Sequence, residues 1–188
     1  MFRKKTVISV QGKNNKVLLD SGLTRLDGCS INITGNNNIV RIGKECKLNN
    51  VSFHIEDDDG VIEIGERTVI IGNTHIAVIE GKKVVVGEGR LFSPDITLRT
   101  GDSHSILDKL GKRINPSKDI TIGNHVWIGN KVIILKGTRI SDNSVVATGS
   151  LLTGKEFPNN SIIGGVGGQV LKSEIDWCGE RIPIDNQI

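Results

Sequence analysis

Asp102 and His104 are the residues whose types and spacing best suit catalysis. Histidine has a neutral form that is both abundant and basic near pH 7, so it can accept the proton of a hydroxyl group. A nearby carboxylate can fix the tautomer of the imidazole and stabilise the imidazolium that forms. A spacing of two residues places both side chains on the same side of an extended segment. The pair predicts general-base chemistry, with Asp102 or a backbone carbonyl orienting the ring.

The elements that hold this pair are indicated by a six-residue period in the C-terminal half. An aliphatic side chain recurs at Ile122, Ile128, Ile134, Ile140, Val146 and Leu152. Neither a helix nor an alternating strand gives this period, but a solenoid whose flat faces are one hexapeptide long does. The second hexapeptide position is mostly small, and the fifth is compact enough for a cramped inward site. The chain is therefore predicted to be all-β, a parallel β-helix with coils of about eighteen residues.

An interruption of the repeat places the catalytic candidates in a loop. The hexapeptide phase is lost after Thr100 and recovers at Ile120. In a solenoid, insertions project from one corner, and polar chemistry in an insertion is a functional hint. We predict one domain over residues 1–188, with irregular early coils at 1–60, an inserted loop at 101–119 and a C-terminal extension at 169–188.

Other polar residues could form a groove beside the loop. His75, Glu80 and Arg99 precede the insertion and are predicted to line the pocket of an acceptor substrate. Within the insertion, Arg113 could gate this groove, or it could form an ion pair with Asp108. Each of these side chains is also of a type that is common on solvated surfaces.

Composition excludes several classes of function. The 188 residues carry 24 basic and 21 acidic side chains, for a net charge of +3, without a basic run that would favour nucleic acid. No apolar run is long enough to span a bilayer or to form a signal peptide. Three scattered cysteines without C-x-x-C spacing fit a reduced, cytoplasmic protein. The four histidines lie far apart in sequence, so zinc chemistry would need ligands from unrelated coils and no metal is expected.

The string RTGDSHSILDKLGKRINPSKDITIGNHVWIG, followed by hexapeptides, resembles the hexapeptide-repeat acyltransferases, in particular the sugar and polysaccharide O-acetyltransferases of bacterial surface-glycan synthesis. The resemblance runs from about Ile64 to Pro183. It implies a left-handed β-helix that assembles as a homotrimer with active sites between subunits. It also implies acetyl-coenzyme A as donor, His104 as general base, and Trp127, on an outward position, as part of the pocket around thioester and sugar.

The resemblance also places coenzyme A along the C-terminal coils. The positions implied are Asn130, Thr148, Thr153, Gly154, Gln169 and Lys172, most of them acting through backbone groups. The chain departs from the family pattern here, because a lysine of that pattern falls one place later, at Lys155. Gln169 also replaces a lysine, which removes a partner for a phosphate of coenzyme A. Lys155 and Lys172 could supply the positive charge instead.

Three functions remain open from the sequence. The first is transfer of an acetyl group to a hydroxyl of a sugar, a sugar nucleotide or a glycan precursor. The second keeps the chemistry but changes the acceptor to the amine of an amino sugar. The third is a scaffold or binding module without catalysis, for which the altered coenzyme A positions are the best argument.

Overall fold

The computed structural model describes residues 2–183. Met1 and residues 184–188, the end of the predicted C-terminal extension, lie outside the described residues. In chain order the strands are β1 (Phe2–Lys4), β2 (Val7–Gln11), β3 (Lys16–Leu19), β4 (Arg25–Asp27), β5 (Ser30–Thr34), β6 (Ile39–Ile42), β7 (Lys47–Glu56), β8 (Val61–Ile64), β9 (Val69–Val78), β10 (Lys83–Val86), β11 (Leu91–Phe92), β12 (Thr97–Arg99), β13 (Ile120–Ile122), β14 (Trp127–Ile128), β15 (Ile133–Leu135), β16 (Arg139–Ile140), β17 (Val145–Val146), β18 (Leu151–Leu152), β19 (Glu156–Phe157), β20 (Ile162–Gly164) and β21 (Gln169–Lys172).

These strands form three faces of a solenoid of about seven turns. Face A contains β1, β4, β11, β14, β17 and β20, together with the first part of β7 and β9. Face B contains β2, β5, β12, β15 and β18, together with the second part of β7 and β9. Face C contains β3, β6, β8, β10, β13, β16 and β19. Neighbouring coils pair in parallel, so the predicted all-β parallel solenoid is confirmed.

Coil length changes along the chain. Trp127 pairs with Val145, eighteen positions later, as the hexapeptide period predicts. Leu26 instead pairs with Leu48, twenty-two positions later. The early coils have longer strands on face B, with five residues in β5 against two in β18, and β7 and β9, with ten residues each, run through two faces. After the last coil, β21 turns back and pairs antiparallel with β20.

The interior is a stack of aliphatic side chains, as the period predicts. All six residues at the first hexapeptide position, from Ile122 to Leu152, are at most 1% exposed. The fifth position, from Val126 to Ser150, is also buried. Ser144 satisfies its buried hydroxyl by donating to backbone carbonyls of the turn. Ser150 donates to Ala147 O in the same way, so serine is accommodated next to the core, whereas the buried hydroxyl of Thr138 has no hydrogen-bond partner.

Arg90 breaks the rule for the fifth position. Its side chain is 1% exposed, and its Nη2 donates to Asn124 Oδ1 at 3.1 Å. Burial lowers the pKa of this guanidinium to about 10, because a charge is less stable away from water. Gly87 makes room for it, since a Cβ there would lie 1.9 Å from Nη2. The hexapeptide pattern gave no sign of this arginine.

The described part of the chain contains no helix long and apolar enough to cross a membrane. Within the same residues, no group of three or more His, Cys, Asp or Glu side chains is placed to hold a metal ion.

Replacing Val132 by aspartate tests the interior stack. Val132 is 0% exposed, so Val132→Asp would bury a carboxylate without a partner between two coils. We expect the free energy of unfolding to fall by about 3 kcal/mol or more, measured by chemical denaturation. Lys131→Asp, at the exposed neighbouring corner where φ is 57°, is the matched control and should change it little. Equal effects of the two variants would contradict the inward assignment.

Candidate active site

The inserted loop leaves the solenoid at the corner between faces B and C. It begins after β12 and ends at β13, and its last residues bond to the coils on both sides. Lys118 N–H donates to Thr100 O at 2.9 Å, and Gly137 N–H donates to Asp119 O at 3.0 Å. At Gly101 a Cβ would lie 2.2 Å from Ser117 Oγ, so the chain must pass here without a side chain. The root of the loop is thus tightly closed.

Asn115 holds the catalytic candidates in place. Its side chain lies at the buried root, where the residue is 7% exposed. Its Nδ2 donates to Asp102 Oδ2 and to the backbone oxygen of His104, each at 2.8 Å. Its Oδ1 accepts from the N–H of Ile106 at 2.8 Å. One amide therefore fixes the backbone at His104 and Ile106 and the side chain of Asp102.

The carboxylate of Asp102 also accepts from Lys136 Nζ, at the end of β15. Lys136 and then Asn115 lower the pKa of Asp102, because both donate to its charged form. The expectation of an extended segment from Asp102 to His104 is wrong, since Ser103 between them has a φ of 63°. The observed hydrogen bonds of Asp102 therefore anchor the loop, and orientation of the His104 ring by Asp102 stays a prediction.

His104 itself combines a fixed backbone with an exposed side chain. The preceding turn is held by Arg99, whose Nη2 donates to Ser103 Oγ at 2.9 Å. An imidazole presented in this way can reach a hydroxyl group of a bound molecule.

A second ion pair joins the loop to the preceding coil. Arg113 Nη2 lies 2.6 Å from Glu80 Oε1, and this contact lowers the pKa of Glu80. The alternative pairing of Arg113 with Asp108 is wrong, because Asp108 instead accepts from the N–H groups of Leu110 and Lys112 within a turn. Glu80, predicted as a pocket residue, has its carboxylate committed to loop anchoring.

Face B carries polar outward side chains on the coils that precede the loop, which form its upper half. His75 pairs in register with Ser52 and Thr97, and its ring lies 6.5 Å from that of His54. Burial, followed by the charge of Arg99 and then that of His54, lowers the pKa of His75. The predicted residues His75 and Arg99 therefore lie on the face that ends at the loop, Arg99 next to the corner that carries Glu80 and His75 at the opposite end of the strand row.

Trp127 lies on a different face from the loop. It belongs to β14 on face A, is 39% exposed, and donates from Nε1 to Ser93 Oγ at 3.3 Å. The predicted outward position is observed, but within one chain the structure does not bring Trp127 together with His104. Its ring neighbour is instead Trp177 from the C-terminal segment, to which the sequence reasoning gave no role.

The implied coenzyme A residues flank the lower half of face B, which is formed by β15 and β18 after the loop. Asn130 and Thr148 lie at the corner between faces A and B, and Thr153 and Gly154 at the corner between faces B and C. Between them the outward residues are apolar, namely Ile133, Leu151 and Val166 in register. The aliphatic side chains of this apolar strip could contact a long, flexible thioester arm, and the backbone N–H and C=O groups of the two corners could form hydrogen bonds with it.

The two basic residues of this region, Lys155 and Lys172, differ in their availability to a ligand. Lys155 Nζ donates to the backbone oxygen of Gly168 at 3.1 Å. Lys172 is exposed on β21, where it lies in register with Ile162, and Gln169 is exposed on the same strand. Among residues 2–183, Lys172 therefore forms no ion pair, whereas Lys155 has a structural contact.

Comparisons with known proteins agree with this architecture. The family model described as bacterial transferase hexapeptide (six repeats) matches residues 119–154. The chain is 34% identical over 151 residues to the polysialic acid O-acetyltransferase of Neisseria meningitidis. The match covers 69% of this chain and 69% of that protein. The crystal structure of the polysialic acid O-acetyltransferase OatWY superposes with a TM-score of 0.77 at 30% identity, over 96% of this chain and 94% of that one.

A more distant structure contains the cofactor. Galactoside acetyltransferase in complex with coenzyme A superposes with a TM-score of 0.57 at 30% identity, over 73% of this chain and 66% of that one. The similarity to the meningococcal enzyme extends over more than two thirds of both proteins. The chain therefore belongs to the family of hexapeptide-repeat acetyltransferases.

Proposed function

We propose that this protein transfers an acetyl group from acetyl-coenzyme A to a hydroxyl of a sugar or glycan precursor, with His104 as general base. The observation that carries the proposal is the loop root, where Asn115 fixes the backbone of His104 and leaves its imidazole exposed. Relatives named as sugar and polysaccharide O-acetyltransferases support the reaction class.

In the proposed reaction, the imidazole of His104 takes the proton of the acceptor hydroxyl. The oxygen attacks the carbonyl carbon of the acetyl thioester, and backbone N–H groups stabilise the tetrahedral oxyanion. The C–S bond then breaks, and the proton on His104 passes to the leaving thiolate. Atoms and charge balance without an acyl-enzyme or a metal. The apolar strip on the lower half of face B would hold the thioester arm.

The polar upper half of face B supports a sugar as the acceptor. Its outward positions in β5, β7 and β12 carry hydroxyl, amide, imidazole and guanidinium groups, namely Ser30, Asn32, Ser52, His54, Thr97 and Arg99. Such groups form hydrogen bonds with sugar hydroxyls, whereas the lower half offers aliphatic contacts. The amine of an amino sugar would fit the same surface and is the second candidate acceptor.

The positions of Trp127 and His104 support a site shared between subunits. They lie on different faces of one chain, so a pocket that contains both needs a second copy of the chain. A homotrimer, with face A of one copy against the loop of the next, would provide it. We propose this assembly, with a left-handed coil and a cytoplasmic location, on the family resemblance.

Replacing His104 by alanine tests the reaction. Loss of a positioned general base should lower the acceptor-dependent release of coenzyme A thiol by about 10²- to 10⁴-fold, while binding of acetyl-coenzyme A persists. The assay uses a panel of sugars, sugar nucleotides and oligosaccharides, and Ser105→Ala, at the exposed neighbouring position, is the control. A native protein that neither releases thiol nor binds acetyl-coenzyme A would favour the scaffold, with Gln169 as the suspected cause.

Replacing Asp102 by asparagine tests its part in anchoring the loop. Its pKa is lowered in the folded protein, so its charge stabilises the fold above the unfolded pKa, and this stability is lost as the pH falls through the folded pKa. We expect Asp102→Asn to have a lower Tm than the native protein at pH 7. The difference should shrink below about pH 4, near the ordinary pKa of aspartate.

Asp95→Asn controls for the loss of one carboxylate, because Asp95 lies outside the loop in a left-handed turn that asparagine tolerates. A Tm difference for Asp102→Asn that stays constant from pH 7 to pH 3 would show that the charge of Asp102 does not anchor the loop.

A further inference from the structure

The C-terminal segment after β21 runs back along the corner between faces A and C. Ile175 N–H donates to Asn160 O at 3.0 Å, and Asn160 Nδ2 donates to Ile175 O at the same distance. Two residues further on, Trp177 reaches His125. Backbone bonds stack His125, Asn143 and Asn160 on successive coils of this corner. The C-terminal segment therefore connects the last coil to the coil that contains β14.

Trp177 and His125 form a reciprocal contact. Their rings are stacked, with centroids 4.4 Å apart and an interplanar angle of 8°. Trp177 Nε1 donates to His125 O, and His125 Nε2 lies at hydrogen-bond distance from Trp177 O, each at 2.8 Å. Because a carbonyl oxygen only accepts, His125 Nε2 is the donor in the second bond. Two hydrogen bonds and a stacked pair fix the indole of Trp177 on the surface.

The indole fixed in this way lies next to Trp127. The two tryptophan rings have centroids 6.0 Å apart and are tilted by 43°, a favourable arrangement for an aromatic pair. Trp127 projects from the solenoid with 39% of its surface exposed, and its side-chain hydrogen bond to Ser93 Oγ is long, at 3.3 Å. Without Trp177, the Trp127 ring would be held by this bond and by the flat surface of the strand beneath.

We propose that Trp177 is a positioning residue, which holds the ring of Trp127 in the orientation that the substrate pocket needs and makes the C-terminal segment part of the active site. The proposal rests on the proposed function in one respect, that Trp127 lines the pocket. Trp177 moves no proton and contributes through the placement of a binding wall. Its loss should therefore raise KM more than it lowers kcat.

Intrinsic fluorescence gives a direct measurement of this role. The chain has two tryptophans and no tyrosine, so Trp177→Ala and Trp177→Phe each leave Trp127 as the sole strong emitter. Phenylalanine keeps a ring that can stack, and alanine does not. We expect Trp127 in Trp177→Ala to emit at longer wavelength and to be quenched more by acrylamide than in Trp177→Phe.

Kinetics on the same variants test the consequence for the site. Trp177→Ala should raise KM by about 3- to 10-fold, the range expected for one aromatic pair, with kcat within about twofold. Trp177→Phe should recover most of this loss. Cys178→Ser, at the exposed neighbouring position, is the control and should leave KM unchanged.

Identical Trp127 emission and quenching in the alanine and phenylalanine variants would overturn the positioning role. A change in emission with unchanged KM would overturn the link to the site and leave a structural contact. The fluorescence readout needs no turnover, so it stays decisive even if the native protein fails to transfer acetyl groups. Failure of the proposed function and failure of this inference are therefore distinguishable.

Discussion

Parallel hydrogen bonding between successive coils determines the position of every outward side chain on the three faces and of the corner from which the inserted loop leaves. Each strand takes its register from the coil before it, so an outward side chain stands directly above or below its counterpart one coil away. The row through Ser52, His75, Thr97 and Ile133 illustrates this on face B. Each face therefore combines side chains from strands that are distant in sequence. An insertion within a strand would break this pairing, so the coil accepts an insertion only at a corner.

The loop depends on a small polar network that replaces the missing strand pairing. An inserted segment has no neighbouring coil to satisfy its backbone, so the loop pairs with itself at Leu107 and Arg113, and the buried amide of Asn115 satisfies backbone groups at its root. Lys136 and Glu80 connect the network to the coils on either side of the loop. Charged contacts suit this position, because the ion-paired side chains around the buried amide of Asn115 are themselves partly exposed to water.

The repeat pattern was sufficient to predict the fold, since the inward aliphatic positions obey a period that a reader can count. It also located the loop and the exposed His104. It could not predict that Lys136 reaches Asp102, because that contact spans 34 positions across an insertion whose path has no period. The left-handed turn at Ser103 and the long early strands were missed for a related reason, since backbone geometry at a corner is set by stacking as much as by residue type. Trp177, 52 positions from His125, carried no local signal.

Face B has its polar half on one side of the loop and its apolar half on the other. In the proposed reaction the polar half binds the acceptor and the apolar half binds the donor, and this boundary would let each half be lengthened separately. Duplication of an early coil of about twenty-two residues would lengthen the polar half by one strand spacing of about 4.8 Å, and the distance from the loop to the apolar half would not change. Acceptor length and donor geometry can therefore diverge independently among proteins of this architecture, by gain or loss of whole coils.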